Sequence, residues 1–174
     1  MIKVYDDFLP INEFRYLEEF IFGPNFSWNF GVVLGETPDR LCGELDDIQF
    51  GNVLYSDFSP QGPEFHIVEP IIKSPKLKIV SLIRIKANIN PRTQEIIKHG
   101  FHIDFPFNQT TAIYYVNSNN GYTEFEDGTK VESVANRLVK FDSNIRHTGT
   151  TCTDSKIRCV ITVSYTHLTL PTKA

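Results

Sequence analysis

Cysteine, methionine and tryptophan are scarce in this 174-residue chain, which has three, one and one of them. Cys42, Cys152 and Cys159 are too few for a disulfide framework and lack the paired spacing of a structural metal site, so they read as free thiols in a reducing compartment. A long apolar run is missing too, and with it any candidate membrane-spanning helix. Met1 to Leu9 carries acids where a signal peptide would carry lysine or arginine, and the expected location is the cytoplasm, with no membrane partner. Positive charge is not in excess. Seventeen Lys and Arg against 21 Asp and Glu leave a formal charge of -4, which argues against charge-driven nucleic-acid binding. Repeats, low-complexity segments and linkers are absent, and a 41% hydrophobic content suffices for one core, so residues 1–162 read as one domain.

Pro10 to Phe22 places Ile11, Phe14, Tyr16, Leu17, Phe20 and Ile21 at mixed three- and four-residue spacing with Glu13, Arg15, Glu18 and Glu19 between, which predicts an amphipathic helix ended by Gly23-Pro24. Phe26–Leu34 and Ile48–Tyr55 read as strands, and Glu64–Lys73 as a short helix. From Leu77 on, short β-branched and apolar runs alternate with Asn, Gly, Asp and Pro. The strands predicted there are 78–90, 100–105, 110–117, 122–126, 130–134, 137–142, 146–151 and 156–163, enough for two facing antiparallel sheets in residues 78–162, supported from outside by residues 1–77. Val163 to Thr172 resembles the translation of a common sequencing-library adapter. Residues 163–174 are therefore set aside as a non-native tail, which takes His167 out of consideration.

Side chains two apart on a strand share a face, so Gly-Phe-His-Ile-Asp-Phe presents His102 and Asp104 together. His147, in Asn-Ile-Arg-His-Thr-Gly, is placed to add a third ligand. Two imidazoles and one carboxylate on one face of Fe(II) leave positions open for a co-substrate and dioxygen. Arg158 shares a face with Val160 and Thr162 on the last strand and, if buried, needs an anion; the distal carboxylate of 2-oxoglutarate matches its planar fork. Thr111, Ile113 and Tyr115 also share a face, which makes Tyr115 a candidate donor to that carboxylate and puts Tyr114 outside. Thr123, Phe125, Val139 and Phe141 are expected to wall the site against water.

His102-x-Asp104, Thr-x-Ile-Tyr-Tyr-Val-Asn, Gly-Tyr-Thr-Glu-Phe, Asn-Arg-Leu-Val-Lys-Phe, His147 and Arg158-x-Val-Ile-Thr162, in this order over residues 79–162, resemble the prolyl-hydroxylase-like branch of the 2-oxoglutarate/Fe(II) dioxygenases. The resemblance implies a mainly β protein with flanking helices, a double-stranded β-helix. It implies Fe(II), 2-oxoglutarate and O2 as cofactor and co-substrates with ascorbate as accessory reductant, and hydroxylation of a peptide, a protein side chain or a small metabolite. It assigns the metal to His102, Asp104 and His147, the distal carboxylate to Arg158, and supporting contacts to Tyr115 and Thr162. Asn88 stands where relatives often carry a tyrosine, and Asn120-Gly121 where they often carry Gly-Gly. Asp104 supplies the carboxylate that halogenating relatives lack, which favours hydroxylation.

His66 and His99 read as exposed loop histidines, and Arg137 and Arg146 as surface cations. Two other functions stay open: a non-catalytic β-helix module that binds a metal or partner, and, more weakly, a zinc hydrolase, for which no separate general base is visible. Gly35–Asp47 and Asn90–Lys98 are the loops expected to choose the prime substrate, with Pro91–Lys98 a candidate lid.

Overall fold

The computed structural model describes residues 1–32, 48–107 and 109–167. Cys42 and the whole Gly35–Asp47 loop lie outside the described residues. Eleven strands are present among those described: β1 (Lys3–Tyr5), β2 (Asn29–Val32), β3 (Ile48–Ser56), β4 (Ser59–Pro60), β5 (Ile79–Pro91), β6 (Thr110–Tyr115), β7 (Tyr122–Phe125), β8 (Lys130–Glu132), β9 (Arg137–Asp142), β10 (His147–Gly149) and β11 (Ile157–His167). The large antiparallel sheet runs β1-β9-β6-β11-β5-β3-β2, with β4 added to β3, and a small sheet runs β10-β7-β8.

Alternation along the central strands creates two cores. On β5 Ile85, Ala87 and Ile89, on β6 Ala112 and Tyr114, and on β11 Cys159, Ile161 and Val163 all join the larger core beneath the helices. The intervening Ile113, Tyr115 and Val160 meet Phe125, Val131, Val139 and Phe141 in a smaller core between the two sheets. Tyr114 is thus outside the β-helix, as expected, yet fully buried under its helical cover.

That cover comes from α1 (Ile11–Ile21), a 3-10 segment (Pro63–Val68) and α2 (Glu69–Ile72). Only Phe14, Leu17 and Ile21 of α1 are buried, a narrower stripe than the apolar spacing suggested, because Ile11 and Tyr16 face outward. Asn136 ties this layer to the sheet. Its amide accepts from Leu9 N and donates to Leu9 O, both at 2.9 Å, and its oxygen also accepts from the Tyr114 hydroxyl at 2.8 Å.

Four elements differ from expectation. β1 and β4, absent from the sequence reading, are strands of three and two residues on β9 and β3, too short to carry a periodic signal. Glu64–Lys73 is mostly 3-10 and only its end is α-helical. Gly100–Phe105 is not a strand: only His102 and His147 exchange backbone hydrogen bonds, at 3.0 and 2.9 Å, after which Asp104 N turns to Ser143 O in the neighbouring turn. The ladder breaks there, so the segment lies beside β10 with a single bridge. No helix among the described residues is long and apolar enough to cross a membrane.

Candidate metal centre and anion pocket

His102, Asp104 and His147 converge. Their potential ligand atoms lie within 4.8 Å of one another, and each imidazole Nε2 is 3.8 Å from an Asp104 oxygen. Backbone carbonyls set both tautomers, since a carbonyl can only accept. His102 Nδ1 donates to Gly100 O at 3.2 Å and His147 Nδ1 to Ile145 O at 3.0 Å, which leaves each Nε2 unprotonated and available to a metal. Burial pushes the pKa of His147 below the ordinary histidine value, against the pull of Asp104, and so favours the neutral ring that a metal needs. Phe141 packs edge-on against that ring at 4.6 Å between centroids.

Asp104 is oriented from behind. Thr111 donates to its Oδ2 at 2.7 Å and is itself 2.9 Å from the Ser143 hydroxyl, which must then be the donor. The side chains of Asp104 and His147 are 7% and 4% exposed, whereas that of His102 is 47% exposed, so a metal here would be backed by protein on one side and open on the other. Two nitrogens and one carboxylate with an open side fit a divalent ion of the non-haem iron type.

Arg158 is buried on the inner face of β11. Its Nε donates to Ser133 Oγ at 2.8 Å and its Nη2 to Thr123 Oγ1 at 3.2 Å, and its guanidinium carbon sits 5.7 Å from the Tyr115 ring centre. None of these partners carries a negative charge. Among the described residues no carboxylate pairs with Arg158, and burial pulls its pKa down from the ordinary arginine value. A buried guanidinium in this state could hold an anion.

The metal trio and Arg158 line one cavity of about 310 Å³. Asn88 and Thr162 line it as well, but Tyr115 does not: its hydroxyl donates to Thr123 Oγ1 at 2.8 Å, so it props the residue that holds Arg158. Thr123, expected only as wall, is the shared acceptor for both. His99 is not an exposed loop residue. Its backbone donates to Gly149 O, and its ring accepts from Asn90 Nδ2 at 3.3 Å on the cavity wall. His66 is exposed, but on the 3-10 segment against Tyr16. Arg137 and Arg146 pair at the surface with Asp6 and Glu126. Pro91–Lys98 is fastened by Thr93 and Ile97 to Thr151.

Sequence reasoning missed Asn90, Lys86, Arg84 and Gln49, all of which line the cavity. The first three could have been found by extending the alternation from Asn88 along β5 in both directions.

No family model and no curated protein matches the sequence. Solved structures do. A Pseudomonas putida prolyl-4-hydroxylase superposes with a TM-score of 0.58 at 16% identity, covering 97% of this chain and 93% of its own. A Trichoplax adhaerens prolyl hydroxylase, solved with a peptide of the hypoxia-inducible factor oxygen degradation domain, gives 0.56 at 16% identity over 95% and 83%. The non-haem, α-ketoglutarate-dependent epimerase SnoN of nogalamycin biosynthesis gives 0.66 at 10% identity over 95% and 77%. The chain therefore has the double-stranded β-helix fold shared by prolyl hydroxylases and other 2-oxoglutarate/Fe(II) oxygenases.

Proposed function

We propose that the protein is a 2-oxoglutarate- and Fe(II)-dependent dioxygenase that hydroxylates a peptide or protein side chain or a small metabolite. The observation that carries this reading is the convergence of His102, Asp104 and His147 in one cavity with a buried guanidinium that has no counter-charge among the described residues. When bound, Fe(II) supplies the redox chemistry that couples decarboxylation of 2-oxoglutarate to oxidation of a substrate C–H bond by dioxygen.

The chain's own residues hold and orient. His102 Nε2, His147 Nε2 and an Asp104 oxygen would hold the metal. The guanidinium of Arg158 engages the distal carboxylate of 2-oxoglutarate through its remaining N–H groups, positioned by Ser133, Thr123 and, through Thr123, Tyr115. Thr162 and Asn88 line the same cavity and would be its further polar contacts. Phe125, Phe141, Val139, Ile113 and Val160 form an apolar backing that excludes water from the buried side of the centre.

The test is direct. Purified protein loaded anaerobically with Fe(II) should bind 2-oxoglutarate and, in air, release succinate and carbon dioxide. A protein that binds Mn(II) but shows no calorimetric signal with N-oxalylglycine, a stable analogue of 2-oxoglutarate, would be the non-catalytic metal-binding module instead.

A further inference from the structure

Arg84 and Lys86 sit on β5 with side chains on the inner face, in line with Asn88 and Asn90, while Ile85, Ala87 and Ile89 point into the outer core. Both cations line the cavity that holds the metal trio. Some cations elsewhere on the molecule pair with acids, Lys73 with Glu69, Lys98 with Glu124, Arg137 with Asp6 and Arg146 with Glu126, and others such as Lys76 and Lys140 donate to backbone carbonyls. Among the described residues Arg84 and Lys86 pair with no acid, although the chain as a whole has more acids than bases. Arg84 rests on the Phe105 ring at 5.8 Å, and Lys86 is bent over Gly51 of β3, its Cε 2.9 Å from where a Cβ would stand.

Among the described lining residues the charge of the cavity is unbalanced. Asp104 is the only acid among its described lining residues, against Arg84, Lys86 and Arg158. The two charges of a divalent metal and the two of 2-oxoglutarate would cancel, and Asp104 offsets one cation. Two positive charges remain, half-buried and side by side, and the burial of Lys86 next to Arg84 lowers its pKa.

Position separates this pair from Arg158. On β11, beside β5, Arg158 is in register with Asn90, whereas Lys86 is in register with Thr162 and Arg84 with Ser164, so the pair lies farther along the strands from Arg158, with Lys86 leaning over β3. Resting on the oxygenase reading above, we infer that Arg84 and Lys86 recognise the prime substrate, and that this substrate carries a carboxylate or phosphate group seated between them.

Calorimetry on the full chain loaded with Mn(II) and saturated with N-oxalylglycine tests this, with inorganic phosphate and N-acetylglycine as anionic probes and N-acetylglycinamide as the neutral control. The anionic probes should bind and the neutral one should not; the tighter anion identifies the group. Arg84→Gln/Lys86→Gln should weaken the anionic probes tenfold or more while N-oxalylglycine affinity stays within twofold, and Lys86→Arg should retain binding. Where the double variant does not melt cooperatively, Lys86→Gln alone should show the same loss in smaller measure. Probe binding that survives both variants, or a neutral probe that binds equally well, overturns the inference and leaves the oxygenase reading intact. A tenfold loss of N-oxalylglycine affinity in the double variant also overturns it, by assigning the pair to the co-substrate. No N-oxalylglycine binding by the wild-type protein overturns the reading on which the inference rests.

Discussion

The Asp104 carboxylate faces two imidazoles on one side and a hydroxyl on the other, and that hydroxyl decides how rigidly it is aimed. Thr111→Val keeps the shape of the side chain and removes the donor to Oδ2. Loss of such a supporting bond should lower metal affinity by about 10- to 100-fold, read by Mn(II) titration, with thermal stability little changed. Arg158 poses the opposite problem, because its charge is buried with no acid beside it among the described residues. Arg158→Met removes that charge and fills the space, so the ligand-free protein should be as stable as wild type or more so, by about 1–4 kcal/mol. The same change should cost about 2–5 kcal/mol in N-oxalylglycine affinity and abolish the rise in melting temperature that the analogue gives the wild-type protein. A variant that melts well below wild type without ligand would show Arg158 to be structural.

Strands carry the site because alternation separates what each must bury from what it must present. That alternation is why so much was legible in advance. Arg158 with Val160 and Thr162, and Thr111 with Ile113, were placed on the inner face from their spacing alone, and so they lie. His102 and Asp104 were placed together on a strand premise that fails, since their ladder has one bridge. They converge because the 102/147 pair and the Ser143 turn hold the backbone instead. Contacts between distant elements were not legible. Nothing in the sequence says that Tyr115 spends its hydroxyl on Thr123, or that His99 is folded against Asn90. Gly121, just before β7, is another such contact. A Cβ there would lie 2.6 Å from Arg158 Cδ and 2.7 Å from Thr151 O, and a backbone carbonyl cannot retreat. Gly121→Ala should cost about 1–3 kcal/mol in urea denaturation and weaken N-oxalylglycine with it. Gly51→Ala meets only the flexible end of Lys86 and should leave the fold nearly as stable.

At the scale of the whole molecule the large sheet has two faces with different duties: the outer face builds the core under the helices and the inner face builds the site. β11 serves both and lies between β5 and β6. Its pairing does not stop at Thr162, where the sequence reading set the end of the domain. Val163, Ser164 and Tyr165 are buried, Tyr165 pairs in register with Leu82 and Thr110, and His167 Nδ1 meets the Thr110 hydroxyl at 2.8 Å. Whatever their origin, the residues at these positions fill part of the core. A chain ended after Thr162 would forfeit about 1.5–3 kcal/mol for each large apolar side chain withdrawn from that core, and would strip one side of β5 and β6 of hydrogen-bond partners. Against a folding margin of about 5–15 kcal/mol, this combination should abolish the cooperative urea transition followed by far-ultraviolet circular dichroism. Tyr165→Phe, which keeps the ring and the strand and gives up only the hydroxyl, should preserve that transition at a slightly lower midpoint. A truncated protein that still unfolds cooperatively would mean that β5 and β6 can close the sheet without the end of β11.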